Sequence, residues 1–102
     1  MPSLHTLNKS PTAAPLLRRC LRLAQPGSTI VLIEDAVYAA VDGSPGAALL
    51  RAHHDRFTFH ALQADLQARG LVGRRLVEAV GVIDDADFVA LVVQHPRIIS
   101  WY

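Results

Sequence analysis

Short apolar runs alternate along the chain with segments whose apolar residues recur every three to four positions, which predicts strands and helices in alternation. Leu4 to Leu7 reads as a first strand. Asn8 and Ser10 then introduce a helix with Pro11 or Pro15 near its start. Its apolar positions Leu16, Leu17, Cys20, Leu21, Leu23 and Ala24 share one arc, and Arg18, Arg19 and Arg22 fall opposite. Pro26-Gly27 stops it. Thr29 to Ile33 is the strongest strand signal, apolar on both sides as a central parallel strand requires. After Glu34-Asp35 comes a helical turn over Val37 to Val41, a loop at Asp42 to Pro45, and a short helix over Gly46 to His53.

Phe57 to Leu62 alternates apolar and polar residues as a strand. Ala64 to Arg69 is a helix closed by Gly70. A basic turn, Gly73-Arg74-Arg75, leads to a strand at Val80 to Ile83. Asp84 or Asp85 caps a helix to about Gln94, with Phe88, Leu91, Val92 and His95 on one stripe, and Pro96 ends it. Ile98 to Tyr102 is the last strand. The alternation predicts a doubly wound α/β fold, a mainly parallel five-stranded sheet flanked by helices, in one domain over residues 1–102. The order of the strands stays open.

Composition narrows the function classes. Half of the 102 residues are hydrophobic, enough for a core. Ten Lys and Arg face nine Asp and Glu, a balance that does not announce nucleic-acid binding. Arg51, Arg56, Arg69, Arg74 and Arg75 are dispersed, with no stacking aromatic among them. Residues 1–22 carry Lys9 and three arginines and no acid, a locally positive end that suits an anionic cargo or an acidic partner. No secretory signal and no membrane span is visible, and the cytoplasm is the expected compartment.

The glycine spacing fits neither a phosphate loop nor a dinucleotide fingerprint, and no cysteine pair or histidine spacing builds a metal site, so neither metal nor cofactor is expected. Adjacent His53 and His54 diverge on a helix and read as helix-end residues. Asp35 and Tyr38 follow a buried strand, where open α/β sheets meet ligands and partners, although Asp35 also suits a plain cap. Cys20, the single cysteine, has two readings: an inert core thiol, or a reactive one whose thiolate is supported by Arg18, Arg19 and Arg22. Trp101 and Tyr102 put large side chains on both faces of a terminal strand, which predicts a central strand or a subunit contact. Leu49, Leu50 and Ala39-Ala40 add apolar surface for that contact.

Four blocks in order resemble the DsrH/TusB family: the opening Leu4-His5-Thr6-Leu7-Asn8-Lys9-Ser10-Pro11, the segment from Glu34 to Ala40 with Ala36 where the family usually has Gly, Asp65 to Gly70, and Asp87-Phe88-Val89 with His95-Pro96 and Ser100-Trp101-Tyr102. The resemblance implies a small DsrE-like fold. It implies a cytoplasmic heterohexamer with DsrE/TusD-like and DsrF/TusC-like subunits. It implies a relay of protein-bound persulfide to an acceptor of the DsrC/TusE kind, with the principal sulfur-carrying cysteine on the DsrE/TusD subunit. Cys20 matches the lone cysteine of the DsrH branch, which points to dissimilatory sulfur oxidation and makes Cys20 a candidate persulfide carrier. The alternatives are a TusB-type subunit in thiolation of a tRNA wobble uridine, or a purely structural subunit with an inert Cys20. Ala36 in place of Gly implies a negative φ or strain in that turn.

Overall fold

A computed structural model describes residues 2–9 and 15–102. The strands are β1 (Leu4–Leu7), β2 (Thr29–Leu32), β3 (Thr58–Leu62), β4 (Val80–Ile83) and β5 (Ile98–Trp101). The helices are α1 (Pro15–Leu23), α2 (Pro45–Ala52), α3 (Gln63–Ala68) and α4 (Asp85–Gln94), with a 3-10 helix over Glu34–Ala40. The sheet order is β4-β3-β2-β1-β5, and every neighbouring pair is parallel. The expected α/β sheet is therefore present, with helices on both faces. Sequence position Ser10, and with it Pro11, lies outside the described residues, and Pro15 is the proline that starts α1.

The chain first builds outward from β1 to β4, and the α4 connection then carries it back to place β5 beside β1. The two faces are unequal. The larger core joins Leu7, Ile30, Leu32, Phe59 and Ala61 of the sheet to residues of α1, α2, α3 and the 3-10 helix. The other face holds Leu4, Val31 and Ile83, packed by Ile33, Leu62, Phe88 and Leu91. Among the described residues only α4 of the helices contributes there, and none of its residues is fully buried.

Local chemistry explains the boundaries. Ser44 caps α2 by accepting from the Ala47 N–H at 3.3 Å, and Pro45 occupies the first turn. Asp84 and Asp87 form a reciprocal capping box on α4. Gly70 follows α3 with φ +67°, while Leu71 N–H donates to the Leu66 carbonyl at 2.9 Å; the left-handed turn there favours glycine. Gly46 is required for a different reason. A Cβ at that position would lie 2.7 Å from the Ala39 Cβ, so α2 and the 3-10 helix touch through backbone.

Several expectations change at this level. Leu23 leaves the apolar arc of α1 and is 62% exposed, while Ala24 completes the buried stripe after Leu17, Cys20 and Leu21. Leu50, Ala39 and Ala40 belong to the core and leave no surface to cover, because the Gly46 contact draws the 3-10 helix onto α2. β5 is an edge strand and not a central one.

Candidate functional site

All strands run the same way, so the carboxyl ends of β5, β1 and β2 lie side by side; Leu7 is level with both Leu32 and Trp101. The chain leaves β2 through Glu34, whose φ of +49° is left-handed. A side chain in that region costs about 1–2 kcal/mol, so surrounding contacts must hold it. One does: the Glu34 N–H donates to Asp65 Oδ2 at 2.7 Å. Arg69, which follows the last residue of α3 one turn beyond Asp65, donates from Nε to Asp35 Oδ1 at 2.8 Å and lies 3.6 Å from Asp65 Oδ1.

Asp35 is thus an ion-pair partner and does not cap the turn, since the residue before the 3-10 helix is Ile33 and no side chain caps it. Ala36 keeps a negative φ, and the left-handed residue sits two places earlier at Glu34. Tyr38 stands exposed beside this cluster. In this group Arg69 is paired with Asp35 and Asp65, and Asp65 also holds the Glu34 backbone, so its charges fix the shape of the loop. Glu34, Asp65 and Arg69 were not singled out from sequence as parts of this site. The available signal was the Asp65–Arg69 spacing, which places opposite charges on one helix face.

Cys20 is fully buried in the larger core. Burial pushes its thiol up to about 12. Arg18, Arg19 and Arg22 lie on the outer side of α1 along an open groove of about 510 Å³ that Pro15 and Leu16 also line. None of the three forms an ion pair among the described residues. The structure therefore does not bring these arginines to the thiol.

Trp101 is half-buried against the larger core. Its indole N–H donates to His5 Nδ1 at 2.9 Å, and the two rings stack at 6.2 Å. Tyr102 is 81% exposed. Ala86, Val89, Ala90 and Val93 form one outward stripe on α4. With Phe88 and Leu91 facing the sheet, α4 is apolar on both sides, a pattern that ordinarily belongs to a covered helix. Val93 is 79% exposed, and Val89 and Ile98 are exposed as well.

Other candidates are structural. His53 Nδ1 and His54 Nδ1 each lie 2.8 Å from carbonyl oxygens of the last turn of α2. Among the described residues no group of three His, Cys, Asp or Glu could hold a metal ion. Arg51 and Arg75 both engage Asp42, and Arg56 lies over the Phe57 ring at 5.5 Å. Among the described residues no helix is long and apolar enough to cross a membrane.

His5 and His60 are both held below the usual imidazole range. Burial is the main cause at each; Arg97 adds to it at His5, and Asp87 opposes it at His60. The unfolded chain therefore binds more protons than the folded one below the ordinary value of 6.5, and stability falls as pH falls through that window. Each histidine adds up to about 1.4 kcal/mol per pH unit to the slope there. Thermal unfolding followed from pH 7.5 down to pH 5 is expected to show a declining Tm that flattens in His5→Gln/His60→Gln. An unchanged slope in the double variant would contradict this assignment.

The parallel α/β fold is shared by known proteins. The chain matches the DsrH like protein family over residues 9–98 and belongs to it. It is 40% identical to protein TusB of Sodalis glossinidius and equally to protein TusB of Escherichia coli, each over 96% of this chain and 99% of the relative. The crystal structure of the ychN protein from E. coli superimposes with a TM-score of 0.76 at 16% identity, covering 98% of this chain and 99% of that one. A protein of unknown function from Methanobacterium thermoautotrophicum, MTH1491, gives 0.73 at 19% identity, covering 96% of each chain. Those two likenesses concern the fold.

Membership in the DsrEFH/TusBCD sulfur-relay family is thereby established, and the assignment to the DsrH branch is overturned. That assignment rested on Cys20. At a buried helix position a cysteine serves as a small hydrophobe, which makes it a poor marker of branch.

Proposed function

We propose that this chain, acting as one domain, is a TusB-type subunit of a cytoplasmic sulfur-relay complex that serves thiolation of a tRNA wobble uridine. The observation that carries this reading is the 40% identity to TusB proteins over nearly the full length of both chains. Its partners are TusD-like and TusC-like subunits and a TusE-like acceptor. The sulfur-carrying cysteine resides on a partner, and Cys20 packs the core. The apolar outer face of α4 supports a docked state, because exposed valines on a helix already apolar beneath favour a second covering surface. Tyr38 and Tyr102 extend the contact at the carboxyl edge, with Trp101 behind them supporting β5. The pairing of Arg51, Arg69 and Arg75 with internal acids leaves direct RNA contact without support from those side chains.

Complementation tests the proposal. In an E. coli strain lacking TusB, wild-type chain and Cys20→Ser are both expected to restore wobble thiolation, measured by mass spectrometry of tRNA nucleosides. Val89→Glu/Val93→Glu is expected to remain folded and to lose co-purification with TusD and TusC. Incorporation of the wild-type chain without restored thiolation would contradict the pathway; an undisturbed complex in the double valine variant would contradict the docking face.

A further inference from the structure

We propose that the pocket at the amino ends of β1 and β5 binds a small inorganic oxyanion between the His5 Nε2–H and the Arg97 guanidinium. The pocket holds about 220 Å³ and lies among Ser3, His5, Ala24, Gln25, Arg97 and Ile99, with Leu23 at its rim. At about 30 Å³ per water molecule, that volume admits a tetrahedral anion with part of its water shell. None of its lining side chains is acidic.

His5 carries the argument. It is only 3% exposed, yet it is a polar ring in a strand otherwise built for the core. Its Nδ1 accepts the Trp101 indole N–H, so in the neutral ring the proton resides on Nε2. The two ring nitrogens point in divergent directions. Holding Nδ1 toward Trp101, near the carboxyl end, turns Nε2–H toward the amino end, where Ser3, Gln25 and Arg97 line the pocket. That donor has no hydrogen-bond partner among the described residues. It is not sealed in the core, so it stands open to the pocket that His5 lines and to an acceptor that enters there.

Arg97 supplies the charge. Its guanidinium forms no ion pair among the described residues, and the undescribed residues contain no acidic side chain. Its positive charge is felt at His5, where it lowers imidazole basicity. One fixed donor and one unpaired cation facing the same small space select an anion over a neutral molecule of equal size. Because His5 donates while neutral, the site needs no protonation and functions above pH 7. An anion seated there offsets the field of Arg97, so His5 titrates at higher pH when the site is filled. The site does not depend on which sulfur pathway the protein serves.

Sulfate is the probe. The full chain, labelled with 13C-histidine, is titrated with sodium sulfate at constant ionic strength while the His5 ring resonances and the fluorescence of Trp101, the single tryptophan, are followed. Saturable shifts with a common midpoint are expected, together with an upward move of the His5 titration. Arg97→Gln is expected to weaken binding at least tenfold and Arg97→Lys to recover part of the loss, while Arg18→Gln leaves the midpoint unchanged. A response that follows ionic strength without saturating would overturn the proposal. So would saturation that leaves His5 unmoved, or equal binding by Arg97→Gln.

Discussion

Phe59→Ala is expected to lower the free energy of unfolding by about 3–5 kcal/mol. Phe59 is the second residue of β3, buried in the larger core, with its ring edge-on to Phe57 at 6.2 Å. Removing the ring discards its transfer free energy and leaves a cavity, and the surroundings are poorly placed to fill it. Ile30 beside it and Val80 on the other side are fixed by the parallel ladder, and Gly46 already brings the helical layer to backbone contact with Ala39. Chains of this size have a total stability of roughly 5–15 kcal/mol, so the substitution removes a large part of it. Urea unfolding followed by circular dichroism provides the measurement. A loss below about 1 kcal/mol would mean that the core is far looser than its packing implies.

The second large effect concerns thiol chemistry. A thiol raised from 9.0 to about 12 holds roughly a thousandfold less thiolate at neutral pH, and the thiolate is the nucleophile. Burial adds a steric barrier, because Cys20 lies beneath α1 among Leu17, Leu21 and the sheet. A disulfide reagent is therefore expected to leave native Cys20 unmodified at least a thousandfold longer than a free thiol, and to modify it promptly once the chain is unfolded. Cys20→Ser is expected to assemble normally. Rapid labelling of the native protein would show that α1 opens and would restore the thiol as a candidate carrier.

The sequence told more about elements than about their meeting points. Every predicted strand is present because apolar runs and turn residues encode local structure, and Ser44, Gly70 and Asp84 mark real ends. The phase of α1 placed Cys20 in the core arc and the arginines opposite it, which already bore against cooperation between them. The polar cluster was less visible, since Asp35 and Arg69 are separated in sequence and meet only because β2 and β3 are neighbours. The His5–Trp101 contact joins the two ends of the chain, and only the strand order places them together. The uncovered side of α4 was hidden for another reason: an apolar helix reads as core until α4 is seen to be the one helix over that face among the described residues.

We propose that this chain lends surface, not sulfur, to a relay complex. Loading the assembled complex with a donor persulfide and weighing each subunit intact tests that most directly. The predicted result is an added sulfur on a partner subunit and none on this chain, with the same pattern in the Cys20→Ser complex. An added sulfur on this chain that disappears in Cys20→Ser, together with loss of delivery to the acceptor, would contradict it.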